Sequence, residues 1–200
     1  MAENRREVEY GEFSWRRKKR PGGRFFGLLV FLSVLGLLLI VLSPFLCYFV
    51  KVDNGAMSPS INISDTVGVN QLAYLLLRPG RGDIVQFQTS RREGTSSSSQ
   101  NPTSIRRIIG LPGETVQILD GIVYINGRPL REEYTSGEMT YGGMASSALT
   151  LSSDEYFLMA DNRSNHFDSR DSTVGPVTET EIVGKVWLRV KPYSQFGLIG

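Results

Sequence analysis

A chain of 200 residues can form one domain of about 150 residues beside a shorter segment. Its net charge is only +2, and residues 1–24 hold eight Lys and Arg against four Glu, which leaves −2 for the remainder. This distribution excludes a uniformly basic, nucleic-acid-binding surface. With one histidine and one cysteine, the chain implies no metal site, no cofactor and no intrachain disulfide.

The N-terminal stretch 1–24 is polar and ends in Arg-Pro-Gly-Gly-Arg, which predicts a flexible cytoplasmic tail. Its basic cluster at 16–20 is typical of a membrane topology signal. The same charges are compatible with docking to anionic lipid head groups, so the lipid bilayer is an expected partner.

An apolar run of 26 uncharged residues, Phe25–Val50, follows the tail. As a helix it would be about 39 Å long, enough to cross a bilayer core of about 30 Å with some tilt. Pro44 would kink or end that helix. A cleavable signal peptide is the alternative. This run is too long for one, and no small-x-small cleavage site follows it. We therefore predict a single-pass anchor at 25–50 with its N-terminus in the cytoplasm and an extracytoplasmic domain at 51–195.

Alternating apolar residues and turn signals predict a mostly β domain. The stretch 89–104 is predicted to be a surface loop, and the Gly- and Ser-rich stretch 131–150 an extension or flap. Trp187, on the last strand, is expected in or beside the core. The predicted strands lie at 65–70, within 81–88 after a turn signal at its start, and at 105–109, 115–119, 122–125, 155–159 and 182–190.

Three motifs stand out, in a fixed order behind the apolar run. They are Asp-Asn-Gly-Ala-Met-Ser-Pro-Ser-Ile at 53–61, Ser-Ile-Arg-Arg-Ile-Ile-Gly-Leu-Pro-Gly at 104–113, and Ala-Asp-Asn-Arg-Ser-Asn-His-Phe-Asp-Ser-Arg at 160–170. Together they resemble the type I signal peptidases, the membrane serine proteases that remove signal peptides. The resemblance covers about residues 25–190. It implies a twisted antiparallel β domain with a β-ribbon insertion at about 117–157, anchored in a bacterial cytoplasmic membrane.

The departures from the family pattern fall on the positions that carry its chemistry. The resemblance places the serine nucleophile at Ala56 and the lysine base at Arg106. Arginine does not deprotonate at useful pH, so it cannot replace that base. Asn54 stands where a serine or threonine completes the oxyanion hole and is a possible donor there. His166 stands where a serine orients the lysine.

The positions expected to support the groove and the site match the family instead. Asp168 and Arg170 resemble the pair that braces the site. The substitutions fall on the nucleophile, base and base-orienting positions. We therefore interpret the chain as a family member that lacks the catalytic serine and lysine, the Ser/Lys dyad. The matching residues are Met57, Pro59, Arg107, Asp161, Asn162, Arg163, Asp168 and Arg170.

Two replacements for the lost nucleophile and base are conceivable: a neighbouring serine as nucleophile, or His166 as base. Ser58 lies about 7 Å along an extended chain from position 56, too far for proximity catalysis. Ser60 matches a family Ser/Thr that makes backbone hydrogen bonds. His166 is a base only if Asp168 orients it, and its default role is to fill space beside Arg106.

Three functions remain open at this level. One is a non-catalytic module that holds an extended peptide or preprotein segment by strand pairing, with an assembly role for pilin or another surface protein. The second is an active signal peptidase with unorthodox residues. The third is a structural membrane subunit that partners an active signal peptidase.

Overall fold

The computed structural model describes residues 23–75, 77–89 and 103–199, and for the first helix it describes the side chains of 25–38 only. The chain divides into two units, residues 1–41 and 42–200. Residues 1–22 of the predicted tail and 90–102 of the predicted loop lie outside the described residues.

The apolar run forms one helix, α1 (Gly23–Leu46), of 24 residues. It ends four residues before the predicted boundary at Val50, since Cys47–Lys51 pairs as a strand instead. Tyr48, Phe49 and Val50 are aromatic or β-branched, which favours a strand once a partner is present. Where both backbone and side chains are described, no helix combines the length and hydropathy needed to cross a bilayer. The anchor at 25–50 stays a prediction.

Strands dominate the described residues after α1, which confirms the mostly β prediction. They are β1 (Cys47–Lys51), β2 (Thr66–Asn70), β3 (Ile84–Gln88), β4 (Thr103–Gly110), β5 (Thr115–Leu119), β6 (Ile122–Ile125), β7 (Arg128–Pro129), β8 (Leu149–Thr150), β9 (Glu155–Met159), β10 (Val177–Thr178), β11 (Ile182–Lys191) and β12 (Gly197–Leu198). The larger sheet has the order β1-β2-β11-β3-β4-β9-β10, with β12 on β11. All of its described pairings are antiparallel.

The second sheet, β7-β6-β5-β8, occupies most of the predicted ribbon at 117–157. Asp120-Gly121 and Asn126-Gly127 have positive φ at both residues of each pair. This geometry is that of the two-residue turns that Asp-Gly and Asn-Gly favour. The ribbon ends before the predicted boundary, because β9 starts at Glu155 and belongs to the larger sheet.

One core prediction is wrong, because Trp187 is 37% exposed. Val186 takes the buried position on β11, and the register shifts between Val186 and Leu188. Since side chains alternate along a strand, the residue after a buried one points outward.

The first motif is held by one of the apolar clusters of the larger sheet. Met57 and Ile61 are buried there against Val67 and Val186, among other residues. This packing fixes the 54–61 turn beside the sheet and so fixes Ala56.

Candidate functional site

Ala56, the predicted nucleophile position, is a fully buried residue whose peptide groups are both hydrogen-bonded. Its carbonyl oxygen accepts from the Asn162 N–H at 2.9 Å. Its N–H donates to Oδ1 of Asn54 at 3.1 Å. The first and third motifs therefore meet through the backbone at this residue. A methyl side chain supplies no nucleophile.

Asn54 turns its acceptor, not its donor, toward position 56. Its Nδ2 donates to Oδ1 of Asp53 at 3.1 Å, while its Oδ1 receives the Ala56 N–H. The predicted role of Asn54 as an oxyanion donor stays a prediction, and in this arrangement the residue closes a local turn.

Arg106, the predicted base position, is completely buried on β4. Its Nε and Nη2 donate to the carbonyl oxygen of Phe167 at 3.0 and 2.6 Å. Its Nη1 donates to the carbonyl oxygen of Ile105 at 2.6 Å. The guanidinium thus joins the second motif to the third and holds a permanent positive charge at this position.

Arg107 points to the opposite face of β4, because neighbouring side chains alternate on a strand. Its Nε and Nη2 form a bidentate pair with Asp161 at 2.9 and 2.8 Å, and both residues are buried. Nη1 donates to the Gly82 carbonyl at 2.8 Å, and Nη2 also donates to Oγ of Ser60 at 3.1 Å. The guanidinium carbon lies 4.0 Å from the centre of the Tyr134 ring. Arg107 therefore ties all three motifs to the insertion.

Asp168 and Arg170 form a fully buried bidentate pair at 2.9 and 2.7 Å. Asp168 also accepts the Ala160 N–H at 2.9 Å, and Arg170 Nη1 donates to the Arg163 carbonyl at 3.0 Å. The pair fixes the loop that carries the third motif. Asp168 is thereby committed to these partners, and no described hydrogen bond joins it to His166.

The insertion contributes contacts that sequence reasoning missed. Oγ of Ser136 donates to the Ser58 carbonyl at 2.7 Å, its N–H to the Asp161 carbonyl at 2.8 Å, and its carbonyl accepts from the Arg163 N–H at 2.7 Å. No periodicity or motif in the Gly- and Ser-rich stretch 131–150 points to this residue. Its neighbours Arg163 and Glu132 form a further buried ion pair.

The Tyr134 hydroxyl donates to Oε1 of Glu132 at 2.8 Å, the carboxylate oxygen that also pairs with Arg163. Burial raises the pKa of the Tyr134 hydroxyl, and the negative charge of Glu132 raises it further. The phenol therefore stays protonated at neutral pH and serves as a hydrogen-bond donor, not as a base.

His166 does not fill buried space beside Arg106, because it is exposed. Its ring lies 5.4 Å from the ring of Tyr141 in an open cleft of about 560 Å³. The bonds from Arg106 go instead to the carbonyl of the next residue, Phe167. A backbone carbonyl, and not a side chain, occupies the space expected of His166.

The two serines of the first motif are placed as hydrogen-bonding groups. Ser58 Oγ donates to Oδ1 of Asn62 at 3.1 Å, and Ser60 Oγ accepts from Arg107. Pro59 between them is exposed.

No described lysine lies at the position of a base. Lys185 Nζ pairs with Oδ1 of Asp83 at 2.6 Å, and Lys51 and Lys191 are exposed. Among the described residues, no three His, Cys, Asp or Glu side chains gather in a metal-binding group.

The family model described as "Signal peptidase, peptidase S26" matches residues 25–191. A relative named Signal peptidase I, from Leptolyngbya laminosa, is 33% identical over 149 residues, 74% of this chain and 71% of the relative. A relative named Probable signal peptidase I-1, from Synechocystis sp., is 32% identical over 166 residues, 80% of this chain and 82% of the relative.

Among solved structures, a signal peptidase I from Enterococcus faecalis V583 is 31% identical, with a TM-score of 0.43. The match covers 55% of this chain and 97% of that structure. The family match spans the apolar helix and the β domain together. The relatives from Leptolyngbya laminosa and Synechocystis sp. match over most of their own length. The chain therefore belongs to the signal peptidase family, peptidase S26.

Proposed function

We propose that this chain is a membrane-anchored signal peptidase I homologue that binds an extended peptide segment and does not hydrolyse it. The observation that carries the proposal is Arg106, which stands at the position of the base and donates to the Phe167 carbonyl. A protonated guanidinium bound in this way cannot accept a proton from a hydroxyl.

The missing chemistry has no replacement among the described side chains near Ala56. Ser58 and Ser60 make other hydrogen bonds, and Lys185 is held by Asp83. His166 is exposed and contacts Tyr141. A hydrolytic step needs both an activated nucleophile and a base within hydrogen-bond reach, and these contacts support the proposal that the chain lacks them.

Peptide binding is the second part of the proposal, and it is supported by the family to which the chain belongs. The cleft of a signal peptidase holds an extended peptide by main-chain hydrogen bonds to a strand. In this chain the positions that support the site match the family pattern, so the loss of the nucleophile and the base need not remove the binding cleft.

The ligand class follows from the family, whose relatives are named signal peptidases. We propose that the ligand is a signal-peptide-like segment of a preprotein, or a segment of a surface protein such as a pilin. An active signal peptidase is a further proposed partner. The domain at 51–195 would meet these partners outside the cytoplasmic membrane, anchored by residues 25–50.

The test is cleavage of a preprotein with an Ala-x-Ala site by the purified, detergent-solubilised chain. The native chain is compared with the double variant Ala56→Ser plus Arg106→Lys, and with this variant carrying His166→Ser. A host strain depleted of its own signal peptidase removes the contaminating activity. Thermal unfolding of each variant shows that it is folded.

We expect no cleavage by the native chain and activity in at least one variant, since the groove is retained while the nucleophile and base are restored. Cleavage by the native chain would overturn the proposal and identify an active signal peptidase. The His166→Ala variant would then show whether the histidine is its base.

A further inference from the structure

The peptide N–H of Ala56 is already held by a side chain of its own turn. It donates to Oδ1 of Asn54 at 3.1 Å, and Ala56 is fully buried. The orientation of the Asn54 amide is fixed by chemistry at both ends. The Asp53 carboxylate accepts Nδ2 at 3.1 Å, and a backbone N–H can only donate, so Oδ1 must face Ala56.

This N–H has a particular importance in acyl transfer by a serine nucleophile. The backbone N–H of the nucleophilic residue is a common donor to the oxyanion that forms on the scissile carbonyl. At position 56 the backbone N–H already donates to Oδ1 of Asn54, within the same turn. A peptide carbonyl can receive the bond only if it displaces Oδ1 of Asn54.

We infer that Asn54 weakens the capacity of this site to bind and polarise a peptide carbonyl, an effect of about tenfold that adds to the changes at Ala56 and Arg106. This inference rests on the proposed function, in which an extended peptide reaches the groove. Asn54 places an acceptor where catalysis requires a free donor, so the residue opposes the polarisation of a bound carbonyl. A hydrogen bond from an asparagine oxygen to the N–H two residues later is a common turn element. Here the N–H that it covers is the one at the nucleophile position.

The first experiment observes the N–H directly. The full chain in detergent, labelled with ¹⁵N-alanine, contains six alanines, so its amide spectrum is simple. In Asn54→Ala the Ala56 proton is expected to shift upfield, because it loses its acceptor. In Asn54→Asp a carboxylate oxygen keeps the acceptor, so the resonance stays downfield. An unchanged Ala56 resonance in Asn54→Ala would overturn the inference.

The second experiment measures affinity for a short fluorescein-labelled peptide with an Ala-x-Ala motif. Asn54→Ala is expected to bind about tenfold more tightly than the native chain, the effect of one freed hydrogen-bond donor. Asn54→Asp is expected to show no gain. Asn62→Ala is the matched control, since Asn62 lies in the same turn and its Oδ1 accepts from the Ser58 hydroxyl.

The outcomes separate the two proposals. Equal peptide affinity in the native chain and in Asn54→Ala would overturn the role of Asn54 and leave the proposed function intact. If no variant binds the peptide, the proposed function fails, while the alanine spectra still decide whether Asn54 holds the Ala56 N–H.

Discussion

Arg106 donates two hydrogen bonds, from Nε and Nη2, to the single carbonyl oxygen of Phe167 at 3.0 and 2.6 Å. The two residues are 61 positions apart in the chain, and this contact joins β4 to the loop of the third motif. A guanidinium can make this forked contact, whereas the ammonium of a lysine is a single point charge. Arginine at position 106 therefore makes a structural link that a lysine could not make.

This link predicts that Arg106→Lys lowers stability. A lysine cannot reproduce the forked contact, and a buried cation that loses hydrogen bonds costs roughly 2–3 kcal/mol in the free energy of unfolding. Chemical denaturation followed by tryptophan fluorescence measures the change. Arg128→Lys, at an exposed position on β7, is the control and is expected to change stability by less than about 0.5 kcal/mol. Equal stability of the two variants would contradict the structural role of Arg106.

The buried pair of Arg107 and Asp161 predicts a larger loss. Asp161→Ala leaves the guanidinium buried without its carboxylate, which is expected to lower the free energy of unfolding by about 3–5 kcal/mol. The matched control is Glu133→Ala, whose partner Arg131 is 89% exposed, and there the expected loss is about 0–1 kcal/mol. Denaturant midpoints of both variants test this difference, and a loss below 1 kcal/mol in Asp161→Ala would refute it.

Gly143 is predicted to be required by a close backbone approach. It has φ +57°, and a Cβ there would overlap the Arg170 carbonyl oxygen and lie 2.7 Å from its carbon. We expect Gly143→Ala to lower stability by roughly 2–4 kcal/mol, through backbone strain and steric overlap. Gly127→Ala is the control, because φ is +77° but nothing lies within 4 Å. That variant is expected to lose only about 1–2 kcal/mol. Thermal unfolding of both variants measures the difference: the loss in Gly127→Ala reports backbone strain, and the additional loss in Gly143→Ala reports steric overlap.

The Tyr134 hydroxyl predicts a contribution to alkaline unfolding. Because burial and Glu132 raise the pKa of Tyr134 above its ordinary value of about 10, the folded state holds this proton more tightly than the unfolded state. The resulting stability is complete below about pH 10 and is lost as the pH rises further. Tyr134→Phe is expected to lose less stability between about pH 10 and pH 11 than the native chain. Urea denaturation across this range measures how steeply the free energy of unfolding of each protein falls with pH. Identical slopes for Tyr134→Phe and the native chain would contradict the raised pKa of Tyr134.

Much of the β domain was predictable from local pattern. The alternation of apolar residues located β2, β3, β5, β6 and β9, and Asp-Gly and Asn-Gly located two hairpin turns. These predictions succeeded because strand alternation and positive-φ turns depend on neighbouring residues. The prediction for Trp187 failed because Val186 takes the buried position on β11 and the next side chain points outward, which depends on how β11 packs in the sheet.

What the sequence by itself determined is which side chains stand at positions 56 and 106. An alanine has no nucleophile and an arginine cannot serve as a base, whatever the fold around Ala56 and Arg106. Only the tertiary structure decided how these residues are used. Side-chain orientation decides which atom of Asn54 faces Ala56. Contacts between distant segments decide that the Phe167 carbonyl binds Arg106 and that Ser136 reaches the first motif. Hydrogen-bond partners of this kind are set by three-dimensional geometry, which local sequence pattern does not encode.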